Sequence, residues 1–100
     1  MSFLTKILGL NKPRVNMKEL IANGAMIIDV RTPGEFAGGH INGSVNIPLN
    51  VLPSKIGSLD KNKALVLCCA SGMRSGSACS ILKQNGFTEV YNAGSWVNLR

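Results

Sequence analysis

Histidine is nearly absent from this chain and cysteine is scarce, with one His and three Cys in one hundred residues. His40 has no companion imidazole. Cys68, Cys69 and Cys79 include no pair at the usual zinc-ligand spacing, so a metal site is not expected. An odd cysteine count with two side by side cannot form a paired disulfide framework, which argues for a reducing, cytoplasmic setting. Aromatic residues make up only 5%. That leaves little to stack bases on, and beyond Lys6, Lys12 and Arg14 the lysines are scattered singly, so nucleic acid is not an expected partner. No apolar run is long enough to span a membrane, and the N-terminus lacks the pattern of a secretory signal. Internal repeats and low-complexity stretches are missing as well.

What is present describes one small domain. Hydrophobic residues reach 45% against 16% charged, well away from the disordered class. A chain of this size buries roughly 60–65% of its unfolded surface, enough for one core and no second domain. Five acidic residues against eleven Lys and Arg give a net charge of +6, a field that draws small anions. A monomer is expected. Residues 1–14 carry Phe3, Leu4, Ile7, Leu8 and Leu10 at helical spacing. They read as an amphipathic segment lying on the domain, with loose membrane-surface or partner docking as the alternative. Pro13 separates them from the domain at 15–100.

Apolar runs then alternate with helical patterns. Asn16 caps a helix over Met17 to Ala22, with Glu19 three residues on and Gly24 as the stop. Ala25 to Val30 is short and continuously apolar, a buried strand. Thr32, Pro33 and Glu35 open a short helix closed by Gly38 and Gly39. Val45 to Ile47 reads as a strand and Val51 to Leu59 as one helix. Ala64 to Cys69 is a second buried strand. Ser75 to Asn85 places Ala78, Cys79, Ile81 and Leu82 on one helical face, and Glu89 to Tyr91 is a last short strand. Such alternation predicts an α/β fold, with a mostly parallel sheet covered on both faces in three layers.

The chemistry gathers after the second buried strand, in Cys69-Ala70-Ser71-Gly72-Met73-Arg74-Ser75. Ligands of parallel sheets bind beyond the carboxyl ends of strands, which is where Cys69 stands. The helix that follows turns its unpaired N–H groups and positive dipole end toward the loop and lowers the thiol pKa. Ala70, Ser71 and Gly72 allow the loop to curl so that successive amides face one centre. The expectation is a thiolate at the bottom of an anion-binding cup, with Arg74 adding a charge on the same side. Against this stands the plainer possibility of a buried strand-end thiol beside a helix-start arginine.

The set as a whole resembles the rhodanese family of sulfurtransferases, over roughly Asn16 to Trp96. The resemblance is carried by Ile28-Asp29-Val30-Arg31 followed by Pro33, Glu35 and Phe36, and by Gly39-His40-Ile41 with Gly43 and Asn46-Ile47-Pro48. The loop Cys69 to Ser75 and Gly86-Phe87 before Val90-Tyr91 complete it. It implies a small rhodanese-like domain in which Cys69 attacks the outer sulfur of thiosulfate or a persulfide donor. Sulfite leaves thiosulfate, and the Cys69 persulfide passes its sulfur to a thiol, cyanide or a protein cysteine, without metal or organic cofactor. Amides from Ala70, Ser71, Gly72, Met73, Arg74 and Ser75 would hold the anion. The same resemblance implies supporting roles for Asp29 and Arg31, which brace loops near the site, and for His40, which pins a loop. Glu35 is placed toward the same end of the sheet.

Four residues separate Cys69 from Arg74. Related phosphatases and arsenate reductases use a loop one residue longer to enclose a larger oxyanion. Strand alternation turns Cys68 away from Cys69, and Cys79 falls on an apolar helix face, so both are expected to fill core. The usual Gly-Gly after the last strand is here Ala93-Gly94 and Trp96 comes early, a departure at the C-terminal end. The alternatives to catalysis are a non-catalytic sulfur carrier or docking module, and a redox sensor pairing Cys69 with Cys68 or Cys79.

Overall fold

The computed structural model describes residues 15–100; the amphipathic segment expected over 1–14 lies outside the described residues. Strand β1 (Met26–Asp29) pairs on one side with β2 (Val45–Asn46) and on the other with β3 (Leu65–Cys69), while β4 (Val90–Ser95) adds to β3. The order is β2-β1-β3-β4, and every pairing among the described residues is parallel, where the sequence led us to expect a mostly parallel sheet. Parallel strands bury both faces, which accounts for the unbroken apolar runs. All of β3 is buried.

Alternation along the strands divides the core. Ile28, Val30, Leu65, Leu67 and Cys69 belong to one cluster with Leu52, Ala78, Cys79, Leu82 and Phe87. Ile27, Val66 and Cys68 are buried on the opposite face of the sheet. Each fully buried leucine of the first cluster contributes about 1.5–3 kcal/mol relative to exposure.

The helix starts follow the capping chemistry. Helix α1 (Met17–Ala22) is capped by the Asn16 side chain, which accepts the Glu19 N–H at 3.1 Å. Helix α2 (Pro33–Ala37) opens with a complete capping box. Thr32 Oγ1 accepts the Glu35 N–H at 3.2 Å, and Glu35 Oε1 accepts the Thr32 N–H at 2.9 Å.

Three elements depart from expectation by more than one residue at an end. The single helix over Val51 to Leu59 is a short helix α3 (Leu52–Lys55) followed by a 3₁₀ turn at Ile56–Ser58. Pro53 suits only the first turn, and Gly57 weakens any continuation. Helix α4 (Met73–Gln84) begins two residues earlier than read, because Gly72 takes the left-handed conformation and lets Met73 and Arg74 enter the helix. Strand β4 runs on past Tyr91 to Ser95 through a bulge. Asn92 pairs with Leu67 but Gly94 with Cys68, which leaves Ala93 as the extra residue.

Strand order reverses direction between β1 and β3, since β2 lies on one side of β1 and β3 on the other. A crevice beyond the carboxyl ends of strands at such a switch point is a usual place for ligands. Cys69 ends β3 there, and Asp29 ends β1 beside it.

Candidate active site

The loop after β3 wraps around the Cys69 sulfur. The Gly72 N–H donates to Sγ at 2.9 Å and the Ser75 N–H at 3.4 Å, while Ser75 Oγ lies 3.3 Å away. Burial pushes the thiol pKa up, but the Ser75 hydroxyl and the amides of Ser75, Gly72 and Ser71 outweigh it, and the net shift is downward. The expected cup is closed over its own sulfur: Cys69 has no exposed surface. Convergence of these donors on one atom draws the loop inward.

The remaining loop side chains divide by position. Ala70 and Ser71 are exposed, Met73 is 80% exposed at the mouth, and Ser75 is fully buried. Arg74 departs from expectation. Its guanidinium is clasped by Glu35, with Nη1 to Oε1 at 2.8 Å and Nη2 to Oε2 at 3.0 Å, instead of being turned to the sulfur. A bidentate carboxylate satisfies the planar fork better than a single sulfur would. Arg74 and the Thr32 cap together hold the Glu35 carboxyl down at about 2. A depressed carboxyl stabilises the fold above its ordinary value of 4.5, and that contribution is lost as pH falls through about 2.

Gly72 makes the loop possible. Its φ is +103°, and a Cβ there would stand 3.3 Å from Gly94 Cα in the β4 bulge. Gly72→Ala is expected to destabilise the domain by about 1–2 kcal/mol and to raise the Cys69 thiol pKa by displacing the 2.9 Å amide. Denaturant unfolding with a pH profile of alkylation checks both; unchanged values for both would refute the account.

The supporting residues form a second assembly. Asp29 is in register with Cys68, so its side chain leaves the sheet on the face away from Cys69. Its carboxylate takes Arg31 Nε at 2.9 and 3.0 Å and Nη2 at 2.7 Å. Arg31 Nη2 also donates to the Gly39 carbonyl at 2.7 Å, and its guanidinium lies 4.7 Å from the Trp96 ring centroid. Both members of the pair are buried. His40 Nδ1 donates to the Phe36 carbonyl at 2.7 Å, and the ring stacks on Phe36 at 3.7 Å, an arrangement that ties the chain after α2. Burial pushes the Cys68 thiol up to about 12 and raises Cys79 as well, and both are free cysteines.

Sequence reasoning missed Asn92. Its side chain contacts Ser75 and Gly72 from within β4, one residue before the bulge, a stretch the sequence places beyond the last strand. A cleft of about 280 Å³ beside Arg74 is lined by Val30, Thr32, Pro48, Leu49 and Asn50. Among the described residues no group of three His, Cys, Asp or Glu side chains is placed to hold a metal ion, and no helix is long and apolar enough to cross a membrane.

Comparison with known proteins gives this geometry a context. The model of the rhodanese-like domain matches residues 14–99. The chain is 47% identical over 68 residues to the uncharacterized protein YqhL of Bacillus subtilis, covering 68% of this chain and 54% of that one. It is 42% identical over 69 residues to the thiosulfate sulfurtransferase GlpE of Stutzerimonas stutzeri, covering 69% and 63% respectively. The match thus spans between about half and two thirds of the length of these curated relatives. Among solved structures, a rhodanese with anions from E. coli superposes with a TM-score of 0.71 at 36% identity, over 75% of this chain and 91% of that one.

Proposed function

The chain belongs to the rhodanese-like domain family, and from that premise we propose that it is a sulfurtransferase working through a persulfide on Cys69. The observation that carries the proposal is the convergence of two amides and one hydroxyl on a single sulfur at the strand end. These donors favour the thiolate, the form of cysteine that acts as a nucleophile. Relatives named thiosulfate sulfurtransferase support the choice of donor.

In the proposed first step the Cys69 thiolate attacks the outer sulfur of thiosulfate. A new S–S bond forms, the old one breaks, and sulfite leaves with the electron pair. The persulfide then carries its charge on the terminal sulfur, toward the amides of the Ala70–Ser75 loop. A thiolate or cyanide attacks that sulfur, and Cys69 departs again as thiolate. No metal or organic cofactor enters the cycle, and one copy of the chain suffices. The cleft beside Arg74 is the space we assign to the acceptor. Because the nucleophile is a free thiol, we place the reaction in a reducing, cytoplasmic compartment.

Intact mass of the full chain after incubation with thiosulfate tests the reading. A gain of one sulfur, removed by cyanide as thiocyanate, is expected; no gain refutes it.

Glu35 shapes the anion's reception, because it cancels the Arg74 charge at the mouth. Glu35→Gln is expected to lower KM for thiosulfate about two- to fivefold at low salt, with the gain fading as salt screens the mouth. Steady-state kinetics at two ionic strengths check this. A higher KM would mean that Glu35 serves chiefly by holding Arg74 in place.

A further inference from the structure

The Ser75 hydroxyl is fully buried and has one proton for three acceptors. Asn92 Oδ1 lies 2.6 Å from Ser75 Oγ, the Gly72 carbonyl 3.2 Å and Cys69 Sγ 3.3 Å. Two further bonds orient the Asn92 amide: Nδ2 donates to the Gly72 carbonyl at 3.2 Å, and Oδ1 accepts the Gly94 N–H at 2.9 Å. The amide oxygen therefore faces the serine. We infer that Asn92 is a positioning residue that competes with Cys69 for the Ser75 proton and so sets how readily the thiol ionises. The inference rests on the reading of Cys69 as the nucleophile.

The network has two arrangements. With a neutral thiol, S–H donates to Ser75 Oγ and the serine donates to Asn92 Oδ1. Once the thiol has lost its proton to solvent, the hydroxyl turns to Sγ and the thiolate gains a donor beside the Gly72 and Ser75 amides. Asn92 Oδ1 keeps the Gly94 N–H and, since Asn92 is exposed, meets water. Neither arrangement orphans a buried polar group, so the turn of the hydroxyl costs only the difference between two acceptors. When the charge leaves Sγ, as it does when the inner sulfur of a persulfide forms, the hydroxyl returns to Asn92. Asn92 thereby favours the uncharged sulfur and keeps the thiolate reactive, because a thiolate held too tightly is a weaker nucleophile.

Other charged and titratable groups surround Cys69. Arg74 of α4 is held by Glu35 of α2, and the Asp29–Arg31 pair and Cys68 lie on the far face of the sheet. None of these side chains hydrogen-bonds to Ser75 Oγ or Asn92 among the described residues, and all are common to the variants compared.

The pH dependence of Cys69 alkylation by iodoacetamide, followed by peptide mass spectrometry, reads the ionisation without any sulfur donor. The result therefore stands apart from the success or failure of sulfur transfer. Asn92→Ala is expected to lower the Cys69 pKa by about half a unit to one unit. Loss of a loop brace alone would raise it. In a Ser75→Ala background the same substitution should move the pKa less than half as far. Asn92→Asp, a stronger acceptor, should raise the pKa, and raise it less when Ser75 is alanine. An upward or absent shift in folded Asn92→Ala overturns the inference, as does an Asn92→Asp shift equal in both backgrounds; if Asn92→Ala does not fold, the Asn92→Asp pair decides alone.

Discussion

Cys69→Ser is expected to abolish the gain of one sulfur from thiosulfate and to reduce cyanide-dependent sulfite release at least about a thousandfold, equivalent to about 4 kcal/mol of barrier. The substitution is nearly isosteric. The Gly72 and Ser75 amides that converge on Sγ would find an oxygen in its place, so the loop keeps its shape. What disappears is the nucleophile, since a serine hydroxyl stays protonated at any pH where the domain folds, and no imidazole touches the position to take its proton. His40 is engaged instead with Phe36, through both its ring and its Nδ1. Cys68→Ser and Cys79→Ser should each retain the sulfur gain, because burial raises both thiols and turns them from anions into core. Intact mass and sulfite assays on the three variants measure this together. Loss of the sulfur gain in Cys68→Ser, with retention in Cys69→Ser, would move the site to the other face of the sheet.

The parts of this fold legible in the sequence are those in which local chemistry and burial agree. Leu65 to Cys69 is apolar throughout because a central parallel strand has no solvent side. Thr32, Pro33 and Glu35 mark the start of α2 because a capping box is a contact between residues three apart. The sulfur's amide donors were legible for the same reason, lying within six residues of Cys69. The partner of Arg74 was not. Glu35 is 39 positions away in the chain, and only the packing of α2 beside the loop brings the two together. Nor was Asn92: the last strand reads as ending at Tyr91, yet the bulge absorbs the extra residue and carries β4 on to Ser95. The closure over Sγ was hidden too, since backbone amides that could cup an outside anion can equally converge on the sulfur itself.

The largest stability effect is expected at Asp29. Asp29→Asn removes the charge that compensates Arg31 while leaving the guanidinium in a site where only 5% of its side chain is exposed. Breaking a buried pair from one side costs about 3–5 kcal/mol, whereas folding as a whole is worth only about 5–15 kcal/mol for typical domains. For a domain of this size the melting temperature should fall by roughly 15–30 °C. The loss goes beyond one ion pair, because Asp29 Oδ1 also accepts the Arg31 N–H at 3.0 Å and so shapes the turn after β1. Arg31 in turn donates to the carbonyls of Glu35, within α2, and Gly39, just beyond it. Replacing both members, Asp29→Leu with Arg31→Leu, should be less damaging than Asp29→Asn, since no unpaired charge is left buried. Denaturant melts of the single and double variants decide that point. If Asp29 braces the site and takes no part in the chemistry, Asp29→Asn should still gain one sulfur from thiosulfate well below its lowered melting temperature. A folded Asp29→Asn domain unable to form the persulfide would place the carboxylate in the reaction itself.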